Sequence, residues 1–136
     1  MRPLQIQFEQ PAPLMSMNQR LHWSKQRRHA RLWRRAAWAA AVDQVTVQRV
    51  IARRLPPCTI TVHLPVHDRR RRDPHNYFPV VKAVVDGLVD AKLWPDDTPE
   101  WVTTTEPRLR LTSKGDSFVI VELHDRTPVF PRGAEP

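Results

Sequence analysis

Residues 58–92 read CTITVHLPVHDRRRRDPHNYFPVVKAVVDGLVDAK, and the rest of the chain arranges itself around them. Cys58, Ile60, Val62 and Leu64 alternate with Thr59, Thr61 and His63, the two-residue period of a strand with one apolar side. Asp68 to Asn76 is a charged loop that carries Arg69, Arg70, Arg71 and Arg72 in succession. Tyr77 and Phe78 lead into Pro79, whose fixed φ and missing N–H suit the first position of a helix running to about Lys92. On that helix Val81, Val84, Val85 and Leu88 share a core face. Lys82, Asp86 and Asp90 fall on the opposite side at four-residue spacing. Lysine before aspartate is the weaker orientation for such a pair, so helix propensity alone does not account for it.

Toward the N-terminus, Leu4 to Phe8 alternate apolar and polar and read as a first strand, ended by Pro11 and Pro13. Residues 11–23, with Met15, Met17, Asn18, Arg20, His22 and Trp23, form a loop. It is either a connector with an apolar plug or an arm that touches substrate. Ser24 is placed to cap a long helix reaching roughly Ala52, on which Trp33, Ala37, Ala40, Ala41 and Val45 form one apolar stripe. Lys25, Arg27, Arg28, Arg31, Arg34 and Arg35 crowd its first turns, and no acid lies between Glu9 and Asp43. These cations repel one another and oppose the helix dipole, effects of only tenths of a kcal/mol each but of one sign. An anionic ligand would relieve them; a solvated basic face is the plainer reading.

Toward the C-terminus, Leu93 to Asp97 closes the second helix and begins a loop. Trp101–Thr105 and Arg108–Thr112 read as strand, interrupted by Pro107 and therefore an edge or a bulge. A turn at Ser113–Asp116 precedes the last strand, Phe118–Leu123, and the pair reads as a hairpin. From Asp125 onward, prolines without periodicity predict a disordered tail over residues 125–136. The fold expected is α/β (α+β): one small domain over residues 1–124, order β-α-β-α-β-β, with a mixed sheet of about four strands and two main helices. There are no repeats and no glycine-rich phosphate loop.

At 136 residues the chain is long enough for one compact domain, and 40% hydrophobic with 26% charged residues supports a real core. A net charge of +8 and a pI near 11.0 point to a polyanionic partner, nucleic acid well before an anionic membrane surface. The lone Cys58 cannot form an internal disulfide and reads as a core residue in a reducing compartment. With no transmembrane-length apolar run and no hydrophobic signal core, a cytoplasmic protein without membrane contact is expected.

Acids beside a basic run suit a metal-dependent enzyme acting on nucleic acid. Asp73 follows a strand, Asp86 lies on a helix and Asp96-Asp97 follow that helix, so carboxylates from separate elements could converge on a magnesium ion. Lys82, four residues before Asp86, could act there as phosphate clamp, leaving-group stabiliser or proton donor. Capping and solvated acids are the structural alternative.

Three spaced elements carry a more specific signal: Arg72-Asp73-Pro74-His75-Asn76, Lys82-Ala83-Val84-Val85-Asp86-Gly87-Leu88, and Asp96-Asp97. Together they resemble the RusA family of Holliday junction resolvases, a likeness extending over roughly residues 4–124. It implies a small homodimeric α/β endonuclease that uses Mg2+, or Mn2+, to cut symmetrically related strands of four-way DNA junctions in recombination and repair. By that resemblance Asp73 and Asp97 match metal-binding aspartates, Lys82 the catalytic lysine, and Asp86 and Asp96 further acidic positions. Arg20, Arg27, Arg28, Arg31, Arg69, Arg70, Arg71, Arg72 and Asn76 become the expected DNA contacts.

Two departures stand out. Lys82 lies six residues past Asn76, a longer gap than in some members, and His75 occupies the place of a second aspartate. Imidazole suits manganese or zinc better than magnesium. His75 would then serve as ligand or proton carrier, or Asp86 or Asp96 would substitute, or the site would be crippled. In that last case the chain is a non-catalytic basic module that binds branched DNA.

Overall fold

The computed structural model describes residues 3–20, 22–46 and 55–126. Its centre is the strand β2 (Cys58–Val66), flanked on one side by β5 (Phe118–Asp125) and beyond that by β1 (Leu4–Glu9). On its other side lie β3 (Val102–Thr104) and β4 (Arg108–Leu111). The outer pairings with β5 and β1 are antiparallel, whereas β3 and β4 run parallel to β2. Helix α1 (Trp23–Ala41) follows β1, and α2 (Phe78–Asp90) supplies the crossover from β2 to β3 that a parallel pair requires. The result is a small α+β domain with a mixed sheet, as the alternations predict.

The period-two patterns divide the sheet into two faces. Ile6, Phe8, Ile60, Val62, Leu64, Val119, Val121 and Leu123 are all buried in one cluster with Trp33 of α1 and Val81, Val84 and Leu88 of α2. The alternate positions carry polar groups that satisfy one another. Thr59 bonds Thr103 at 2.9 Å, Thr61 bonds Thr105 at 2.9 Å, and His63 meets Glu122 at 2.7 Å. Both helices therefore cover the apolar side, and the other side is a polar lattice.

β3 and β4 are two halves of one edge. Ile60 stands opposite Thr104, while His63 stands opposite Arg108, so the edge gains one residue between them. That extra residue is a bulge around Thr105–Pro107, where a proline without N–H breaks no ladder bond. The fifth strand segment thus comes from the interruption that Pro107 announces. On the opposite edge, the Gln44 side-chain amide accepts from the Gln7 N–H at 3.0 Å and donates to its C=O at 2.7 Å. Gln44 stands in the π-helical turn Val42–Thr46 that continues α1.

Several sequence expectations are corrected. β4 and β5 form no hairpin: they lie on opposite sides of β2, and the connection between them passes its end. Sequence neighbours were out-competed by the longer antiparallel pairing of β5 with β2. The cap of α1 is His22, whose Nδ1 accepts from the Ser24 N–H at 3.2 Å, so Trp23 opens the helix instead of lying in the loop. Asp125 pairs with Cys58, and the Arg126 N–H bonds the Pro57 carbonyl at 2.8 Å, so the ordered domain extends past residue 124. The expected continuation of α1 to Ala52 and the tail over 127–136 lie outside the described residues.

The helices meet at a point. A Cβ on Gly87 would collide with the Arg34 carbonyl oxygen and stand 2.9 Å from the Ala37 Cβ and 3.0 Å from the Trp38 nitrogen. Only a residue without a side chain permits this approach. Gly87→Ala is expected to cost about 3 kcal/mol or more by overpacking, read as a lower urea midpoint. At the end of α2, Lys92 has φ +67°, a left-handed cap position that favours glycine. Lys92→Gly is expected to raise stability by about 0.5–1 kcal/mol in the same unfolding assay.

Candidate functional site

Beside the contact at Gly87, charged side chains bridge α1 and α2. Arg34 reaches from α1 to Asp90, with Nε 2.6 Å from one carboxylate oxygen and Nη2 2.8 Å from the other. The same guanidinium lies 4.0 Å from Asp86, which accepts from Lys82 Nζ at 3.0 Å. Lys82, Asp86 and Asp90 therefore share a face, as their spacing predicts, but that face looks onto α1. The bidentate bond to Arg34 holds the Asp90 carboxyl below its ordinary range, and Asp90 in turn raises Arg34.

Lys82 is the meeting point of three clefts. One of about 570 Å³ lies against the loop after β1 and is lined by Met17, Trp23, Arg27 and Lys82. A second, about 290 Å³, runs between the helices past Arg27, Arg31, Arg34 and Asp86. The third, about 390 Å³, opens toward β3 and holds Phe78, Lys82, Asp97, Thr103 and Thr104. The Lys82 amine is thus held by Asp86 at the border between a basic channel and a cleft containing Asp97.

The loop after β1 is both plug and exposed surface. Met15 is buried, while Met17 is half exposed. Trp33 Nε1 donates to the Pro13 carbonyl at 3.1 Å and fixes the loop to α1. The Met17 N–H donates to the Asn76 carbonyl at 2.8 Å, joining it to the short 3-10 helix Pro74–Tyr77. Asn76 is therefore tied by its backbone to this loop, which also carries the exposed Arg20.

Asp73 caps that short helix, its Oδ1 accepting from the His75 N–H at 3.1 Å, and both side chains are exposed. Asp96 accepts from the Asp97 N–H at 2.7 Å, and both are exposed. Among the described residues Asp73, Asp96 and Asp97 form no ion pair, whereas Asp86 is held by Lys82 and lies 4.0 Å from Arg34. Among the described residues no three His, Cys, Asp or Glu side chains gather as metal ligands. Magnesium takes one or two carboxylates and completes its shell with water and phosphate, so a gathered cage is not required of it. Asp86 is better described as the residue that positions Lys82.

The four arginines also differ among themselves. Arg69, Arg70 and Arg71 are exposed. Arg72 is folded back, with a side chain 11% exposed, donating to the carbonyls of Asp68 and Arg70 at 3.1 Å and pairing with the Asp68 carboxylate at 3.0 Å. It shapes the loop that presents the other three. Arg27, Arg28 and Arg31 are exposed on α1. Two further residues belong to the site beyond those expected from the sequence: Arg34, and Trp38, which lines a cleft with it. The four-residue spacing of Arg34 and Trp38 along α1 is the available signal. Compared with protein-family models and with curated proteins, the sequence gives no match.

Because the Asp90 carboxyl is depressed by Arg34, its contribution to stability is present above its unfolded value and is lost as pH falls through the folded one. Thermal melting followed from pH 7 down to about 2.5 is therefore expected to fall more steeply, below about pH 4, for the wild type than for Asp90→Asn.

Proposed function

We propose that this protein is a structure-selective endodeoxyribonuclease that resolves four-way (Holliday) DNA junctions in recombination and repair. The observation that carries the reading is the position of Lys82, shared between the basic channel of α1 and the cleft holding Asp97. A phosphodiester drawn along Arg27 and Arg31 would reach an amine that Asp86 keeps in place. There Lys82 can hold a phosphate oxygen and stabilise charge that builds on it during cleavage. Arg69, Arg70 and Arg71 add phosphate contacts from the loop before Asp73, so recognition rests on backbone and shape. The residues that would hold a divalent cation, magnesium or manganese, are Asp73, Asp97 and Asp96, with His75 next to Asp73. Such an ion supplies Lewis-acid polarisation of the phosphate when bound.

Two matching cuts across a junction need two sites related by a twofold axis, so the active form in this reading is a homodimer. Its place is the cytoplasm, with the DNA. No helix of the described residues is long and apolar enough to cross a membrane.

A second reading is favoured by the ungathered carboxylates and by His75: a basic module that binds branched DNA without cutting it. Cleavage of a labelled synthetic four-way junction with magnesium or manganese separates the two. Symmetric nicking by the wild type is expected, falling at least about 100-fold in Asp73→Asn and in Asp97→Asn. Nicking unchanged in both variants overturns the assignment of these residues. Tight junction binding without nicking in either metal establishes the module instead, and His75→Asp then tests whether activity returns.

A further inference from the structure

Trp23 and Trp38 are large aromatic side chains left in the open, 62% and 41% exposed. They bracket the basic stretch of α1. Trp23, Arg27, Arg31, Arg34 and Trp38 recur at spacings of four, four, three and four, which places them within about 80° of arc on one helix face. That face borders a continuous groove. The cleft at Trp23 shares Arg27 and Lys82 with the channel between the helices. The channel in turn shares Arg31 and Arg34 with a cleft of about 400 Å³ lined by Arg35, Trp38 and Asp90. The two tryptophans stand ~22 Å apart along the helix axis.

We infer that this groove binds a segment of single-stranded nucleic acid, with a base stacked on Trp23 at one end, another on Trp38 at the other, and phosphates between them on Arg27 and Arg31. Charge complementarity selects the occupant. Asp86 and Asp90 are the acids lining these clefts, Asp90 bonded to Arg34 and Asp86 to Lys82, which leaves Arg27, Arg31 and Arg35 for an anion. Exposed indoles select a polyanion that also has flat rings. Arg27 lies 5.0 Å from the Trp23 ring centroid and the tilted His22 ring 5.4 Å from it, yet the indole stays 62% exposed, so a base joins a site that already holds a cation and an aromatic ring. Bases paired inside a duplex offer no free π-face to these rings, so the fitting ligand is an unpaired strand, such as one opened at a branch point. The inference rests on the nucleic-acid reading above and adds the form of strand and its contacts.

The test uses the full-length protein and a short oligothymidylate. Oligomer binding is expected to quench the intrinsic fluorescence of the wild type. Trp23→Ala and Trp38→Ala are each expected to weaken binding of labelled oligomer roughly 5- to 150-fold. Trp23→Phe/Trp38→Phe keeps flat rings, so it should retain most of the binding while the quenching disappears. Unchanged affinity in both alanine variants overturns the inference. So does equal quenching by polyglutamate, which has the charge without the bases. Junction nicking separates this inference from the nuclease assignment. Tryptophan-dependent oligomer binding by a protein that does not nick junctions leaves the groove standing and removes the nuclease. Nicking by a protein whose alanine variants bind oligomer normally does the reverse.

Discussion

Gly87 of α2 lies so near the backbone of α1 at Arg34 that no side chain fits between them. Helix axes carrying side chains at the contact stay apart by the bulk of those side chains; a glycine removes it. Everything at the candidate site takes its position from that crossing. The Arg34 carbonyl is pressed against Gly87, and its guanidinium reaches the carboxylates at 86 and 90, one residue before and three after the glycine. A packing constraint and a bidentate ion pair thus act on the same residue from its two ends. The exposed pair is worth little by itself, since half-exposed charges gain little from pairing. Its effect is orientation, because it fixes which face of α1 lines the groove.

The same arrangement sorts the positive charge of the chain. A sequence of arginines looks uniform, but the structure commits Arg34 to α2 and Arg72 to its own loop, with Arg110 bonded to Asp116 beside the sheet. Arg27, Arg28, Arg31, Arg69, Arg70 and Arg71 remain exposed. A basic surface for a polyanion is made here by surplus: Asp68, Asp86, Asp90 and Asp116 are matched to cations, and Arg27 and Arg31 line the clefts at Lys82.

The sequence was most legible where burial and period coincide. The alternation from Cys58 to Leu64 and the valines of α2 gave their strand and helix with little error at the ends, because a shift of one residue would have exposed the core. Pro107 correctly marked a bulge. What failed needed long-range information. The turn at Ser113–Asp116 looks like a hairpin because adjacency is visible in a sequence, whereas the affinity of β5 for β2 is not. Ser24 is a better cap by type than His22, yet the imidazole nitrogen lay where the amide pointed. In the site, the spacing of Lys82 and Asp86 was readable. That Asp86 also faces a second cation depends on Arg34, fifty-two residues away in the chain.

The amide of Gln44 does for β1 what a neighbouring strand would do, taking one N–H and one C=O of Gln7. A side chain that imitates a strand also occupies a strand's place. The outer rim of the sheet at Gln7 is thereby shut to any chain that would add itself there, and the bulge at Pro107 spoils the regularity of the other rim. Growth of the sheet from molecule to molecule, the usual hazard of an open edge, meets an obstacle on both sides. A second copy is left with the helix layer or the polar face on which to build a symmetric contact, and neither of those can propagate as a ribbon.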